Sequence, residues 1–401
     1  MVLLVHPGTQ YSYQLARQLA RHNKLSEFWT GLALAKESWV MPVIETCLPY
    51  SWRRRLGNRI VYDVPARHIR RKPFIGLKAI YQLRRGRSSQ LVFHEINGEF
   101  QKKIKNSALK KASAVIGFDT ASWILARRAQ EMGKPFFLDR STSHPVVNDS
   151  VLRSVVRRFP EWQQDFEARI AQVLHSESQE HRLATRIIAA SSFTKRTLIS
   201  QGIAADKIVV NPYGVDTRKF YPASKRRADR PLRFLFLGSV SARKGIPLLI
   251  EAWRSLNLKD CELWIVGPIT PQASSLIPSL PGLKVFGKYP HAELPRLLRQ
   301  CDVLVFPSYC DGFGLVLLEA LASGLPIITT EATAGPDLIQ NGIEGLIIQS
   351  GDLDGLCHSI KYFADDPAKL QGMSEAARRC AEKFTWDAYG DRWNHLLEEF
   401  I

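Results

Sequence analysis

Short apolar runs alternate with stretches of helical spacing through the second half of the chain. The runs at 233–237, 262–266, 283–286, 302–307, 325–330 and 344–348 are too short for helices and rich in β-branched or aromatic residues. Between them, apolar positions at 246–256, 291–300, 315–323, 353–364 and 367–383 recur with the helical period. Apolar strands alternating with helices predict a parallel sheet covered on both faces. The first half repeats the rhythm less clearly, with strands predicted at 2–6, 90–93, 114–118, 135–139, 186–190 and 207–211. Helices are expected there over 13–21, 121–132 and 161–183. The fold class that follows is α/β, with two Rossmann-like, doubly wound parallel-sheet domains facing a central cleft. A polar, proline-containing stretch at 211–231 marks the boundary, giving a first domain over 1–212 and a second domain over 213–383. The last helical pattern, 384–401, stands apart.

A length of 401 residues fits two or three domains of roughly 100–200 residues each. The chain opens directly on a strand-like Val2-Leu3-Leu4-Val5, without the basic start and long apolar core of a secretory signal. No apolar run reaches the ~18–20 residues that span a bilayer, so a cytoplasmic protein is expected. The six cysteines, Cys47, Cys261, Cys301, Cys310, Cys357 and Cys380, form no C-x-x-C pair and read as small buried hydrophobes rather than metal ligands.

Charge changes the picture more than composition does. The net charge is +17, and residues 1–212 carry 34 Lys/Arg against 16 Asp/Glu, whereas 213–401 carry 21 against 22. The basic runs are Arg53-Arg54-Arg55, Arg70-Arg71-Lys72, Arg84-Arg85-Gly86-Arg87, Lys102-Lys103-Ile104-Lys105 and Arg157-Arg158. Such a one-sided field favours an anionic partner: a phospholipid surface, a phosphorylated acceptor or nucleic acid. Trp39, Trp52 and Phe74 beside those runs suit a membrane interface. Nucleic acid is disfavoured, because aromatics interleaved at base-stacking spacing are missing. A merely solvated basic face is the plain alternative.

In open α/β sheets, ligands bind just beyond the carboxyl ends of the strands. After 233–237 comes Gly238-Ser239-Val240-Ser241-Ala242-Arg243-Lys244-Gly245, two adjacent cations before an apolar helix, which points to an anion. After 302–307 comes Ser308-Tyr309-Cys310-Asp311-Gly312-Phe313-Gly314, then a helix starting at Leu315. Gly312 and Gly314 would let a ligand approach the backbone, and the helix start offers free N–H groups. Glu319 lies in an otherwise apolar helix, where a buried carboxylate needs hydrogen-bond donors such as sugar hydroxyls. The alternatives are a solvated basic loop at 243–244 and an internal salt bridge or cap for Asp311.

The segment CDVLVFPSYCDGFGLVLLEALASGLPIITT, ending at Thr330, resembles the donor-site signature of glycosyltransferase family 4, the group 1 glycosyl transferases with retaining GT-B architecture. Phe234 to Gly238, Ala242 to Gly245 and Ile208 to Phe220 match in the same order, and the resemblance covers about half the chain, from Arg186 onward. It implies a sugar transfer from a nucleoside-diphosphate sugar, UDP- or GDP-linked, to a hydroxyl acceptor, lipid-linked or a growing polysaccharide. It further implies that Arg243 and Lys244 bind the diphosphate, with Gly238 at the strand end, and that Glu319 holds the ribose. Gly312, Phe313, Gly314 and Leu315 would line the donor, and Asp311 would contact the sugar. Asp311 stands where the family usually has Glu, an arm shorter by one methylene.

On the acceptor side, Pro135 to Pro145 resembles the family segment that presents a histidine to the reacting sugar. Asp139, Arg140 and His144 are the candidates there, with His144 also weighed as an ordinary loop histidine. Gly8 and Thr9, after His6 in the first strand-to-helix turn, correspond to the family's glycine-containing loop. His94 would also follow a strand and reads as structural. The resemblance implies metal-independent chemistry without a required cofactor, and a C-terminal helix that crosses back onto the first half. No G-x-G-x-x-G follows the first strand, and G-x-S-x-G and H-E-x-x-H are missing, which disfavours nicotinamide, hydrolase and zincin chemistry. A nucleotide-sugar epimerase or phosphorylase on the same fold, and a non-catalytic basic binding protein, are the competing functions.

Overall fold

The computed structural model describes residues 1–9, 11–36, 46, 57, 59–223 and 230–401. Trp39, Cys47, Trp52, the 53–55 arginine run and residues 225–229 of the interdomain stretch lie outside the described residues.

The first sheet holds β1 (Val2–His6), β2 (Leu25–Thr30), β3 (Ile69–Arg71), β4 (Ala114–Phe118), β5 (Phe136–Arg140), β6 (Arg186–Ala189) and β7 (Ile208–Val210), in the order β3-β2-β1-β4-β5-β6-β7. The second holds β8 (Leu232–Leu237), β9 (Cys261–Val266), β10 (Leu283–Gly287), β11 (Val303–Phe306), β12 (Ile327–Thr330) and β13 (Gly345–Ile348), in the order β10-β9-β8-β11-β12-β13. All pairings in both sheets are parallel. Successive side chains of β1 enter opposite faces: Val2 and Leu4 join one core cluster, Leu3 and Val5 the other. The first cluster continues through Tyr213, Val215 and Phe220 into the second lobe.

Three expectations need correction. Residues 90–93 are not a strand but part of the helix Ser89–Lys102. Val92, Ile96 and Phe100, all buried at a spacing of four, supply a helical stripe that the short run Leu91–Phe93 conceals. His94 therefore sits on a helix, stacked on Trp123 with ring centroids 4.7 Å apart. The continuous helix expected over 161–183 is split into a short 3₁₀ segment Pro160–Asp165 and a helix Ala171–Leu183. Between them the Arg169 and Ile170 amides are held by the Asp149 carboxylate (2.8 Å) and the Gln90 side-chain carbonyl (3.1 Å) instead of by helical partners. The interdomain stretch begins as packed structure, because Asn211, Tyr213, Val215 and Phe220 are buried. Strands β2 and β3 escaped the hydrophobic pattern; β2 mixes Ser26 and Glu27 with apolar residues, and edge strand β3 exposes Arg70 and Arg71. The described cysteines are buried except Cys357, which is partly so.

The C-terminal helix Trp386–Glu398 lies against the first helix of the chain, Ser12–Arg21. Gln18 Nε2 donates to Asp387 at 2.9 Å, and Arg21 faces Asp391 at 3.4 Å. Deeper in, the Asp139 carboxylate accepts from the hydroxyls of Tyr213 (3.0 Å) and Tyr389 (2.9 Å). One buried carboxyl thus ties β5 to the interdomain stretch and to the terminal helix. Burial, outweighing those two hydroxyls, pushes the Asp139 carboxyl up to about 7.

A carboxyl that holds its proton more tightly when folded stabilises fully below its unfolded value of about 4, and this contribution is lost as pH rises through 7. His144 and His181, lowered chiefly by burial to about 4 and about 2, drive the opposite trend, so the effect is read as a difference. Denaturant titrations should show the stability of wild type minus Asp139→Asn falling by about 1 kcal/mol per pH unit between roughly pH 5 and 7. A difference independent of pH would mean that Asp139 titrates like an exposed carboxyl.

Candidate active site

Each sheet reverses its strand order at one point, between β1 and β4 in the first lobe and between β8 and β11 in the second. A crevice opens beyond the strand ends at such a point. In the second lobe, Gly238 ends β8, its N–H on the Val266 carbonyl at 3.0 Å. The chain then makes a single turn, Ala242–Lys244, ahead of the helix Ile246–Leu256. The turn is pinned from both sides. The Asp165 carboxylate of the first lobe accepts from the Ala242 amide at 2.6 Å. Tyr309 N–H (2.9 Å) and Ser308 Oγ (3.2 Å) donate to the Arg243 carbonyl.

The two cations already have partners. Arg243 Nη1 donates to the Cys310 carbonyl at 2.5 Å, and the Lys244 ammonium pairs with the Asp311 carboxylate. Lys244 Nζ also stands 4.8 Å above the Phe306 ring centroid, a cation–π contact. Burial opposes ionisation of Asp311, yet Lys244 and Arg243 outweigh it and hold its carboxyl below the ordinary value. For Lys244 burial is the larger influence and lowers the ammonium against the support of Asp311.

Beyond Asp311 the loop meets the first lobe. A Cβ at Gly312 would lie 2.0 Å from the Ser141 carbonyl oxygen and 2.6 Å from Thr142 Cα, so only glycine fits that seam. The Gly312 carbonyl accepts from Ser191 Oγ at 2.5 Å and Thr194 Oγ1 at 3.1 Å. Phe313 is buried, its ring edge-on to Tyr213 at 5.1 Å. Gly314 takes a left-handed φ of 78° and caps the helix Leu315–Ala322. On that helix the Glu319 side chain is mostly buried, 12% exposed, with its carboxylate 3.4 Å from His291 Nε2. Lys219, 3.0 Å from the other nitrogen of His291, senses the Glu319 charge as well.

Across the seam, the first lobe encloses a cavity of about 680 Å³ at its strand ends. His6, Gly8, Thr9, Asp119, Ser141 and Thr142 line one end of it. Asp119 accepts from Ser141 Oγ (3.2 Å) and Thr142 Oγ1 (3.0 Å). His6 Nδ1 accepts from the Gly8 amide at 3.0 Å, and burial lowers its pKa, keeping the ring neutral. The remaining acceptor-side candidates are placed elsewhere. Asp139 is the buried node described above. Arg140 is fully buried, bonded to Glu177 at 2.5 Å and to the carbonyls of Thr142 (3.0 Å) and Ser143 (2.7 Å). His144 begins the helix Pro145–Arg158, its ring 5.3 Å from that of His181.

The structure therefore brings together Arg243, Lys244, Asp311, Gly312, Phe313 and Gly314, with Glu319 farther along the same helix and Gly8 and Thr9 in the opposing lobe. It adds four residues that sequence reasoning missed: Asp119, Asp165, Lys219 and His291. Asp119 directly follows a predicted strand and was open to the same rule that picked out Asp311. Asp165 and His291 act through contacts with elements distant in sequence, and no local pattern reports them.

The Lys244–Asp311 pair generates a stability prediction. Lys244→Met leaves a buried carboxylate without its cation and should destabilise the chain by roughly 3 kcal/mol. The double variant Lys244→Met, Asp311→Asn should regain most of that loss in thermal unfolding. A double variant no more stable than the single one would show that the pair is not energetically coupled.

Residues 217–380 match the family model described as "Glycosyl transferases group 1". The D-inositol 3-phosphate glycosyltransferase of Pseudarthrobacter chlorophenolicus is 30% identical over 229 residues, covering 52% of this chain and 54% of that protein. The chain spans about half the length of the curated relatives it matches. Among solved structures, sucrose-phosphate synthase from Thermosynechococcus elongatus superposes with a TM-score of 0.64 at 17% identity, covering 99% of this chain and 98% of that one. Anabaena HepE in complex with UDP gives the same TM-score at 15% identity and 99% coverage of both chains. The two parallel-sheet lobes share the GT-B fold of these structures, and residues 217–380, within the second lobe, are similar to the group 1 glycosyl transferases.

Proposed function

We propose that this chain is a retaining glycosyltransferase of family 4 that moves a sugar from a nucleoside-diphosphate sugar, UDP- or GDP-linked, to a hydroxyl acceptor. The observation that supports it is one juxtaposition. The Arg243–Lys244 turn and the start of the helix Leu315–Ala322 follow β8 and β11, the two strands that flank the reversal point of the second sheet. A departing diphosphate gains negative charge as the glycosidic bond to it breaks, and fixed cations with free helix N–H groups stabilise that charge most in the transition state. Arg243 and Lys244 take this role without a required metal ion, exchanging their partners at Cys310 and Asp311 for phosphate oxygens. Asp311, released from Lys244, accepts from a sugar hydroxyl, and Glu319 accepts from the ribose hydroxyls. In a front-face displacement the acceptor oxygen bonds to the anomeric carbon as the phosphate oxygen leaves, and that phosphate takes the acceptor proton. No enzyme nucleophile is needed.

Two observations support an anionic membrane surface as a further partner of the first lobe. On the helix Pro73–Arg84, Phe74 is 79% exposed, and Leu77, Ile80 and Tyr81 are about half exposed. Lys78 and Arg84 lie on the same helix, and Arg70, Arg71 and Lys72 directly precede it. Among the described residues, no helix is long and apolar enough to cross a membrane; the contact proposed is peripheral, on the cytoplasmic face.

A thermal-shift panel of UDP, GDP, ADP and their sugars tests the donor site. A matching nucleotide near a hundred times its Kd should stabilise the chain by about 2–3 kcal/mol. Arg243→Ala and Glu319→Ala should each lower turnover at least tenfold while far-UV circular dichroism stays unchanged. Wild-type turnover in either variant, or a panel without any shift, sinks the donor assignment. Sugar phosphate released only when inorganic phosphate is supplied would identify a phosphorylase instead.

Co-sedimentation with vesicles rich in phosphatidylglycerol should be strong at low salt and fall steeply as ionic strength rises. Binding that ignores salt, or none at all, would leave the basic lobe another use.

A further inference from the structure

The cavity in the first lobe has two chemically different ends. Its polar end is the strand-end group His6, Thr9, Asp119, Ser141 and Thr142. Ser141 and Thr142 are the residues that touch Gly312 of the second lobe, so this end abuts the loop that carries Asp311. On the side formed by helices, it is lined by Leu77, Ile80 and Leu83 of the helix Pro73–Arg84, by Phe93 and Ile96 of the helix Ser89–Lys102, and by Val173, with Gln90, His94, Asn97 and Arg169 as polar neighbours. Some of these apolar residues also reach solvent: Leu77 is 57% exposed, and Ile80 and Phe93 are each 49% exposed. The apolar wall thus continues from the interior of the cavity onto the outer surface, where it meets Phe74 and Tyr81 among the basic side chains.

An acceptor made only of sugar would leave that wall in contact with hydroxyls, which gains nothing from burying apolar surface. A hydrocarbon chain would be buried against it, at a gain of about 0.8 kcal/mol per CH₂. The basic rim complements the anionic headgroups from among which such a molecule would be drawn.

We propose that the acceptor is an amphiphile. Its hydroxyl-bearing head occupies the polar end beside Ser141 and Thr142, and its hydrocarbon chain runs between the helices Pro73–Arg84 and Ser89–Lys102 toward the basic, apolar outer face. This rests on the transferase reading above and selects a lipid-linked acceptor within it.

The test titrates the full chain with alkyl β-glucosides from hexyl to decyl, kept below micelle formation, and reads binding by displacement of N-phenyl-1-naphthylamine. Each added methylene should tighten binding about fourfold. Ile80→Asp and Phe93→Asp, both at partly exposed positions, should flatten that chain-length dependence while UDP still raises the melting temperature as in wild type. A flat dependence in wild type, or an undiminished one in both variants, overturns the proposal. Displacement of the probe by maltoheptaose as readily as by decyl glucoside overturns it in favour of a polysaccharide acceptor. The UDP shift separates the two readings: its absence in wild type, with the alkyl dependence intact, removes the donor assignment and not the hydrocarbon site.

Discussion

One contact that holds the two lobes in register is the backbone of Gly312. Gly312 lies so close to Ser141 and Thr142 that a side chain has no space, and its carbonyl takes hydrogen bonds from the buried hydroxyls of Ser191 and Thr194. Those hydroxyls belong to the first lobe, while Gly312 sits between Asp311 and the helix that carries Glu319. The distance between the anion-binding side and the cavity side is therefore set where the chemistry is expected to occur. Buried polar groups that lose such partners are expensive, so the seam resists sliding. The Asp165 carboxylate on the Ala242 amide adds a second tie to the turn that carries Arg243 and Lys244.

Both cations inside this seam have protein partners before any ligand arrives. Lys244 is paired with Asp311, and Arg243 is bonded to the Cys310 carbonyl. A diphosphate bound as proposed would compete with these protein partners rather than with bulk water alone, exchanging one set of charge-assisted contacts for another. The same economy explains Arg140, whose full burial is offset by Glu177 and by two carbonyls. A residue that reads as a cleft cation from its place after a strand serves instead to hold the loop that contacts Gly312.

Much of the second lobe was legible in its sequence. All six of its strands and the glycine-flanked loop after β11 follow from short, mainly apolar runs bounded by turn residues; β11 and β12 are buried throughout, whereas Arg233, Glu262 and Lys284 in the other strands break the pattern without hiding it. In the first lobe the same rule failed at β2 and β3, where Ser26, Glu27, Arg70 and Arg71 interrupt the apolar pattern near the sheet edge. It failed at 90–93 for the opposite reason: a run of apolar residues too short to reveal its period.

What the chain determined by itself is the set of elements in the second lobe and the residue types at their carboxyl ends, since these depend on neighbours within a few residues. Whether a polar residue at such an end faces the cleft was decided only by tertiary structure. Asp139 and Asp311 both lie at or just beyond the carboxyl end of a strand, yet Tyr213 and Tyr389 enclose the first, whereas the second pairs with a lysine beside the opposing lobe. Partners that arrive from 67 to 250 positions away leave no mark on the local pattern. Their burial, and with it the role of each carboxylate, exists only once the lobes and the terminal helix have packed.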